Sequence, residues 1–161
     1  IRNRLIVLDG WSKTFCMTGW RLGWSVWPNK IIEYANKLCV NDHSCPSAIS
    51  QYAGIEALKG PKDEINKIVV EFQSRRDFIY KKLNEDDKFS CFKPGGAFYA
   101  FPNISKTGLS GDEFSKIALD KLNVALVPGS SFGKTPSKYV RISYANSLDN
   151  INKALERLKK I

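Results

Sequence analysis

The middle of the chain, from Lys62 to Glu85, carries a long helical pattern. Apolar side chains recur there at spacings of three and four residues, which places them on one face of an α-helix. The arginine pair Arg75–Arg76 interrupts this pattern halfway along. A helix of this length can connect two compact regions of a chain, so we expect it to bridge an N-terminal and a C-terminal domain.

The residues before this helix have the character of an α/β layer. Two short apolar runs, Arg4–Asp9 and Leu22–Trp27, predict buried strands. Helical spacing follows over Asn29–Leu38 and returns after Pro46, whereas the polar stretch Asn41–Cys45 between them predicts a loop.

The residues after the long helix mix short strands with short helices, as small α+β domains do. Strands are predicted at Phe89–Phe92, Ala97–Phe101, Val124–Val127 and Tyr139–Tyr144. Helices are predicted over Asp112–Leu122 and after Ser147, whose hydroxyl suits an N-cap position. We therefore place a boundary near residue 70, between the end of an α/β layer (1–70) and a small α+β domain (71–161).

The composition narrows the function classes. Hydrophobic residues make up 43% of the chain, enough to fill a core. No apolar run approaches the ~20 residues that a membrane helix needs, and no signal-peptide pattern opens the chain. The four cysteines form no CxxC pair, as expected for reduced thiols. We therefore expect a cytoplasmic protein without a membrane partner.

The net charge of +9, from 25 basic and 16 acidic residues, leaves two interpretations open. A basic module with exposed aromatic side chains would bind nucleic acid, with a steep salt dependence. However, lysines and acids are mixed in stretches such as KKLNEDDK (81–88), which favours a solvated surface and no nucleic-acid partner. A metal site at Cys39, His43 and Cys45 is a further alternative, but no fourth ligand lies at a usual spacing.

The stretch DGWSKTFCMTGWRLGW, Asp9–Trp24, surrounds one lysine with bulky aromatic side chains. The lysine is Lys13, and its aromatic neighbours are Trp11, Phe15 and Trp20. An amine attacks an aldehyde only when it is neutral, and both exclusion of water and a nearby positive charge favour the neutral form. We expect the aromatic rings to exclude water and Arg21 to supply the charge.

Arg21 also carries a planar fork of donors that matches a phosphate group. Ser12 adds a hydroxyl donor, while Gly19 and Gly23 permit a close approach of the backbone. A lysine for an aldehyde and an arginine for a phosphate together fit pyridoxal 5'-phosphate. A simpler role for Arg21 also remains open, because it could pair with the carboxylate of Asp9.

The segment SKTFCMTGWRLG, Ser12–Gly23, resembles the cofactor-lysine motif of the class I and II aminotransferases, an aspartate aminotransferase-like group of fold type I. Other segments similar to this family are PGGAFYAF, VALVPGSSFG and YVRISYA. The resemblance implies an α/β fold: the end of the pyridoxal-phosphate-binding large domain, a three-layer α/β/α structure, followed by a small α+β C-terminal domain.

The resemblance also implies roles for individual residues. Lys13 would form a Schiff base with the cofactor and move a proton during the reaction. Arg21 and Ser12 would hold the cofactor, and Arg141 would bind the α-carboxylate of the substrate by a bidentate contact. The loop Gly95–Tyr99 would border the substrate pocket, with Gly96 and Phe98 as its substrate-binding residues.

One position departs from the family pattern. Many relatives carry a serine three residues before the lysine as a phosphate ligand, whereas this chain has Gly10. In the family, the aspartate, the tyrosine and the stacking aromatic residue that complete the cofactor site precede the lysine. The chain starts at Ile1 and its only methionine is Met17. We therefore expect a C-terminal portion with an incomplete cofactor site.

The reaction implied by the resemblance is transfer of an amino group from an L-amino acid to a 2-oxo acid, of the aspartate or aromatic aminotransferase kind, in a homodimer. A lyase or a decarboxylase of the same fold type is the alternative. Residues to which we assign no chemistry include the four tryptophans, expected in the core, and three turn or loop residues: His43, Ser130 and Ser131.

Overall fold

The computed structural model describes all residues of the chain, 1–161. The chain divides into two compact units, Ile1–Asn66 and Lys67–Ile161. The division falls within a long helix, Asp63–Asn84, so the predicted helix over this region is confirmed. None of the helices combines the length and the apolar character that crossing a membrane requires.

The first unit is built on a ribbon of two antiparallel strands, β1 (Val7–Gly10) and β2 (Gly23–Val26). Between them lie a single helical turn, α1 (Trp11–Thr14), and a 3₁₀ turn over Thr18–Trp20. Two longer helices follow, α2 (Ile32–His43) and α3 (Ala48–Lys59). A further 3₁₀ turn, Arg2–Arg4, occupies the start of the first predicted strand.

A small apolar cluster holds helix α3 against the segment between the two strands. Its buried members are Trp11, Met17 and Leu22. The indole N–H of Trp11 donates a hydrogen bond of 3.1 Å to the carbonyl of Gly54 on α3. Gly54 permits this approach without a shift of its neighbours, because a Cβ atom there would lie 2.5 Å from a methyl carbon of Leu22.

Helix α2 corrects the prediction of a loop over Asn41–Cys45. The helix continues through Asn41 to His43 and ends at Ser44, which has a φ of 61°. The amide of Asn41 does not break the helix, because its Nδ2 donates a hydrogen bond to the carbonyl of Lys37, four residues earlier. His43 is therefore the last helical residue, and its Nδ1 lies 3.0 Å from the carboxylate of Asp42.

The second unit contains a three-stranded antiparallel sheet in the order β3 (Tyr99–Ala100), β5 (Val140–Ser143), β4 (Val127–Pro128). The C-terminal part of helix α4 (Asp63–Asn84) belongs to this unit, together with α5 (Gly111–Leu122) and α6 (Leu148–Leu158). The largest fully buried side chains of its core include Tyr144, Phe114, Ile79, Leu83 and Leu158. Strand β5 is the central strand of the sheet, because it pairs with both β3 and β4.

The helices of the second unit begin at capping residues. Ser147 accepts a hydrogen bond from the backbone N–H of Asn150, so the predicted N-cap of α6 is confirmed. Helix α5 begins with a capping box in which Ser110 and Glu113 satisfy each other's backbone N–H groups. These bonds fix the first turn of each helix.

The prediction of a strand over Phe89–Phe92 is wrong. This segment contributes one isolated bridge, from Ser90 to Asn103, and Phe92 is 92% exposed. The backbone of Cys91 bonds to a side chain instead, since Asn84 accepts from its N–H and donates to its carbonyl. A side chain on helix α4 thus replaces the strand partner.

The prediction of a strand over Val124–Val127 holds only at its end, where Val127 begins β4. The N–H of Val124 donates to the carbonyl of Ala118, and Asn123 has a φ of 53°. Both features belong to the C-terminal cap of helix α5. The strand therefore starts only after this cap is complete.

The expectation that all four tryptophans lie in the core is also wrong. Only Trp11 is buried, whereas Trp20 and Trp24 are exposed by 44% and 41%. Trp27 is partly buried and donates its indole N–H to the hydroxyl of Ser25. The reason is local, because Trp24 lies on the exposed β1–β2 ribbon and Trp20 ends a 3₁₀ turn.

Candidate active site

Lys13 lies on the single-turn helix α1, between the two strands of the first unit. Its side chain is exposed and borders a hollow of about 400 Å³. Arg21 and Ser12 border the same hollow. The remaining lining residues are Asp9, Gly10, Thr14, Leu22 and Gly23. Three residues singled out from the sequence are thus brought together within the first unit.

The aromatic residues around Lys13 do not enclose it as expected. Trp20 is exposed, and the indole N–H of Trp11 donates to the carbonyl of Gly54 on helix α3. Phe15 is partly buried and faces the ammonium of Lys62, which lies 5.4 Å from the ring centroid. Trp11 and Phe15 therefore belong to the apolar cluster of the first unit, whereas Trp20 is left exposed.

Arg21 adopts a left-handed backbone conformation, with φ 52° and ψ 48°, which is uncommon for a residue with a side chain. Its guanidinium donates a hydrogen bond of 2.8 Å to the carbonyl of Thr18. The simpler pairing with Asp9 does not form, since the carboxylate of Asp9 accepts from the N–H of Gly10 instead. Arg21 thus has one of its five N–H groups engaged.

The close backbone approach expected at glycine is found at Gly10 and Gly23, which face each other across the two strands. A Cβ atom at Gly10 would lie 3.0 Å from the carbonyl oxygen of Leu22, and one at Gly23 would lie 3.2 Å from that of Asp9. A serine at Gly10 would therefore require a small shift of the ribbon. Gly19 has no such neighbour.

Arg141 lies on the central strand β5 of the second unit and is partly buried. Its guanidinium carbon is 4.3 Å from the ring centroid of Tyr99 and 4.8 Å from that of Phe132. No residue of the chain gives Arg141 an ion pair or a side-chain hydrogen bond. A partly buried cation that has two aromatic rings and no anion beside it is suited to bind an anionic ligand.

The other two residues predicted at the substrate pocket, Gly96 and Phe98, lie in the segment before β3. Gly96 is exposed, and a Cβ atom there would have open space. Phe98 is partly buried and contacts the rings of Tyr99 and Phe72, at centroid distances of 4.5 Å and 6.1 Å. Phe98 thus contacts the ring that lies beside the guanidinium of Arg141.

Sequence reasoning did not identify the contact of Phe132 with Arg141. Phe132 ends the 3₁₀ turn Gly129–Phe132, which follows β4. Strand β4 pairs with β5 so that Val127 stands opposite Arg141. The sequence pointed to this region only through the segment VALVPGSSFG. The register that brings Phe132 to Arg141 depends on the pairing of two strands distant in sequence, which a local segment does not reveal.

The geometry can be compared with known proteins. The sequence model of the family described as "Aminotransferase class I and II" matches residues 2–158. The chain belongs to this family. The resemblance drawn from the motif around Lys13 is therefore confirmed.

Two curated members of the aminotransferase family illustrate the similarity. An aspartate aminotransferase of Pyrococcus abyssi is 42% identical over 161 residues, which are 99% of this chain and 41% of the relative. An aromatic-amino-acid aminotransferase of Thermococcus litoralis is 39% identical, with the same shares. The chain thus spans about 41% of the length of these relatives.

Solved aminotransferase structures share the fold. An aromatic aminotransferase from Pyrococcus horikoshii matches with a TM-score of 0.94 and 42% identity, over 99% of this chain and 43% of that one. An aspartate aminotransferase from Rhizobium meliloti matches with a TM-score of 0.90 and 37% identity, over 99% and 42%. The chain therefore has the α/β fold of these aminotransferase structures.

Proposed function

We propose that the chain is the C-terminal part of a pyridoxal-phosphate-dependent aminotransferase, which transfers an amino group from an L-amino acid to a 2-oxo acid. The observation that carries the proposal is the meeting of Lys13 and Arg21 at one hollow. In this proposal residues 1–70 end a three-layer large domain, and residues 71–161 form the small domain. The membership of the chain in the family supports both parts.

The hollow in the first unit fits the cofactor in its donor set. It combines a lysine amine for an aldehyde with an arginine fork and a serine hydroxyl for a phosphate. Arg21 and Ser12 would hold the phosphate, and Lys13 would bind the aldehyde. When bound, pyridoxal phosphate supplies an electron sink that stabilises negative charge on the substrate Cα.

Lys13 would also act on the substrate as a base and an acid. Its amine stands on a flexible four-carbon stem, so it can take a proton from the substrate Cα and return one at another atom. The Lys13 side chain borders the hollow proposed for the cofactor. Ser12 precedes it on the same turn and stays within the hollow.

Arg141 would bind the α-carboxylate of the amino acid. Burying part of a guanidinium without an anion costs free energy, and a carboxylate provides two acceptors for two parallel N–H donors. Such a contact fixes the orientation of the substrate, which contributes to the rate by positioning. We place Gly96 and Phe98 at the border of the same pocket.

The substrates and the assembly of the whole protein are part of the proposal. Curated relatives named aspartate and aromatic-amino-acid aminotransferases support an acidic or aromatic amino acid as the donor. We further propose a homodimer in which an N-terminal part of the same polypeptide completes the cofactor site. Four free cysteines support a cytoplasmic location.

The test uses the full-length protein that contains this chain. Pyridoxal phosphate is added, borohydride fixes any imine, and the labelled peptide is mapped. We expect the label on Lys13, loss of label and of amino transfer in Lys13→Arg, and no change in the control Lys30→Arg. Weaker cofactor binding is expected in Arg21→Ala. A label on another lysine, or product formation that needs no 2-oxo acid, would contradict the proposal.

A further inference from the structure

The guanidinium of Arg141 lies close to two aromatic rings. Tyr99 lies 4.3 Å from the guanidinium carbon by ring centroid, and Phe132 lies 4.8 Å from it. Both distances fall within the range of a cation–π contact. The guanidinium carbon therefore lies over both rings, and the N–H donors of a guanidinium lie in its plane and point outward from its edge.

The two rings come from the two neighbours of the central strand β5. Tyr99 begins β3 and stands opposite Ser143, two residues beyond Arg141 on the same face of the sheet. Phe132 follows β4, which pairs with β5 at Arg141. The sheet therefore supplies one ring from each side, and the register of three strands sets the spacing.

Each ring has an aromatic neighbour of its own. Phe132 meets Phe101 edge to face, with centroids 5.8 Å apart, and Phe101 stacks on Tyr139 at 5.3 Å. Tyr99 packs on Phe98 at 4.5 Å. These contacts restrict the motion of the two rings, so the rings can restrict the motion of Arg141.

A role in core packing alone does not account for Phe132. Its side chain is 49% exposed in this chain, so packing within residues 1–161 buries only about half of its surface. Its ring nevertheless contacts Arg141, the arginine that we assign to the substrate carboxylate. The contact of Phe132 with the guanidinium points to a role at Arg141.

We propose that Tyr99 and Phe132 are positioning residues that hold the guanidinium plane of Arg141, so that a carboxylate can approach only its N–H edge. The proposal rests on the function proposed above for Arg141. An arginine that is ordered before binding loses less rotamer freedom when the carboxylate arrives. Because the carboxylate stays bound throughout the reaction, loss of a ring should raise KM more than it lowers kcat.

The experiment measures KM and kcat for an amino-acid donor in the full-length protein. Phe132→Leu and Tyr99→Leu remove a ring, and we expect each to raise KM by about five- to thirtyfold, as for the loss of a desolvated cation–π contact. The inhibition constant of propionate, a carboxylate without an amino group, should rise by a similar factor. Phe132→Tyr and Tyr99→Phe keep the rings and should restore most of the affinity. Phe92→Leu is the matched control, since Phe92 is almost fully exposed.

A double-variant cycle separates positioning from damage to the fold. Once Arg141→Ala has removed the guanidinium, Phe132→Leu should raise KM by less than twofold more, whereas a structural defect would persist. If the leucine variants keep a normal KM while Arg141→Ala raises it, the positioning role is refuted and the proposed function stands. If Arg141→Ala leaves KM unchanged, the role of Arg141 in the proposed function fails together with the inference.

Discussion

The hydroxyl of Tyr144 donates a hydrogen bond of 3.0 Å to the carbonyl of Ala97. The backbone N–H of Tyr144 also donates, at 2.9 Å, to the carbonyl of Phe98. One residue, placed directly after strand β5, thus holds two successive carbonyls of the segment before β3. Ala97 has a φ of 59°, which is unfavourable for alanine, so these bonds help to keep the segment in its conformation.

Removal of the Tyr144 hydroxyl should destabilise the chain. We expect Tyr144→Phe to lower the free energy of unfolding by about 1 kcal/mol, the usual value for one hydrogen bond. Urea unfolding followed by circular dichroism measures this change. Tyr80→Phe is the control, because the Tyr80 hydroxyl has no hydrogen bond within the chain. Equal losses in the two variants would contradict the prediction.

The same tyrosine should make the chain sensitive to alkaline pH. Burial raises the pKa of Tyr144 above its ordinary value of 10.0. The unfolded chain therefore loses this proton at a lower pH than the folded chain, so the stabilisation is complete below pH 10.0 and is lost as the pH rises further. Unfolding free energies between about pH 9 and about pH 11 should fall less steeply in Tyr144→Phe.

The capping box of helix α5 should make the chain sensitive to acid. Hydrogen bonds from the backbone and the hydroxyl of Ser110 hold the pKa of Glu113 below its ordinary value of 4.5. The associated stability is present above pH 4.5 and is lost as the pH falls through the lower folded-state pKa. Glu113→Gln keeps an acceptor without the titration and should flatten the acid limb of an unfolding profile.

A second variant tests the capping box from its other side. Ser110→Ala removes the N-cap hydroxyl and should cost about 1 kcal/mol of stability near neutral pH. It should also reduce the dependence of stability on acid, since the hydroxyl is one of the donors to Glu113. A Ser110→Ala variant with the stability and the acid profile of the parent would refute the role of the box.

Gly54 should not tolerate alanine, although it lies inside helix α3. Helix propensity alone would make Gly54→Ala stabilising by about 1 kcal/mol. The new Cβ would, however, lie 2.5 Å from a methyl of Leu22 and 3.3 Å from the ring of Trp11. Overpacking costs about 1–3 kcal/mol, so we expect a net loss of about 1 kcal/mol by thermal unfolding. Gly19→Ala, with open space, is the control, and a stabilised Gly54→Ala would contradict the prediction.

Elements with local signals were predicted well from the sequence. Helix α6 was located through Ser147 and its apolar spacing, and the long helix was placed to within one residue at each end. The strands were harder, because a strand exists only where a distant partner pairs with it. The segment at Phe92 has apolar residues, but Asn84 occupies the backbone of Cys91 and no strand forms.

In the candidate site, too, features within one continuous motif could be predicted, whereas contacts between distant segments could not. Lys13, Arg21 and Ser12 could be predicted together because they belong to one continuous motif, and the structure places them at one hollow. The prediction that Trp20 shields Lys13 from water was less successful, because the ring of Trp20 is exposed. Nearness in sequence does not determine which way a ring faces. The contact of Phe132 with Arg141 arises from the pairing of β4 with β5, which no local pattern indicates.

The pairing of Gly10 with Gly23 ties together the two ends of the segment that carries Lys13 and Arg21. The entropy lost on closing a loop grows with the logarithm of its length, so a loop as short as this one costs the chain little freedom. Contacts between residues close in sequence also form rapidly during folding. The amine and the guanidinium are therefore brought to one hollow by a local step of folding, which the β1–β2 ribbon can complete early.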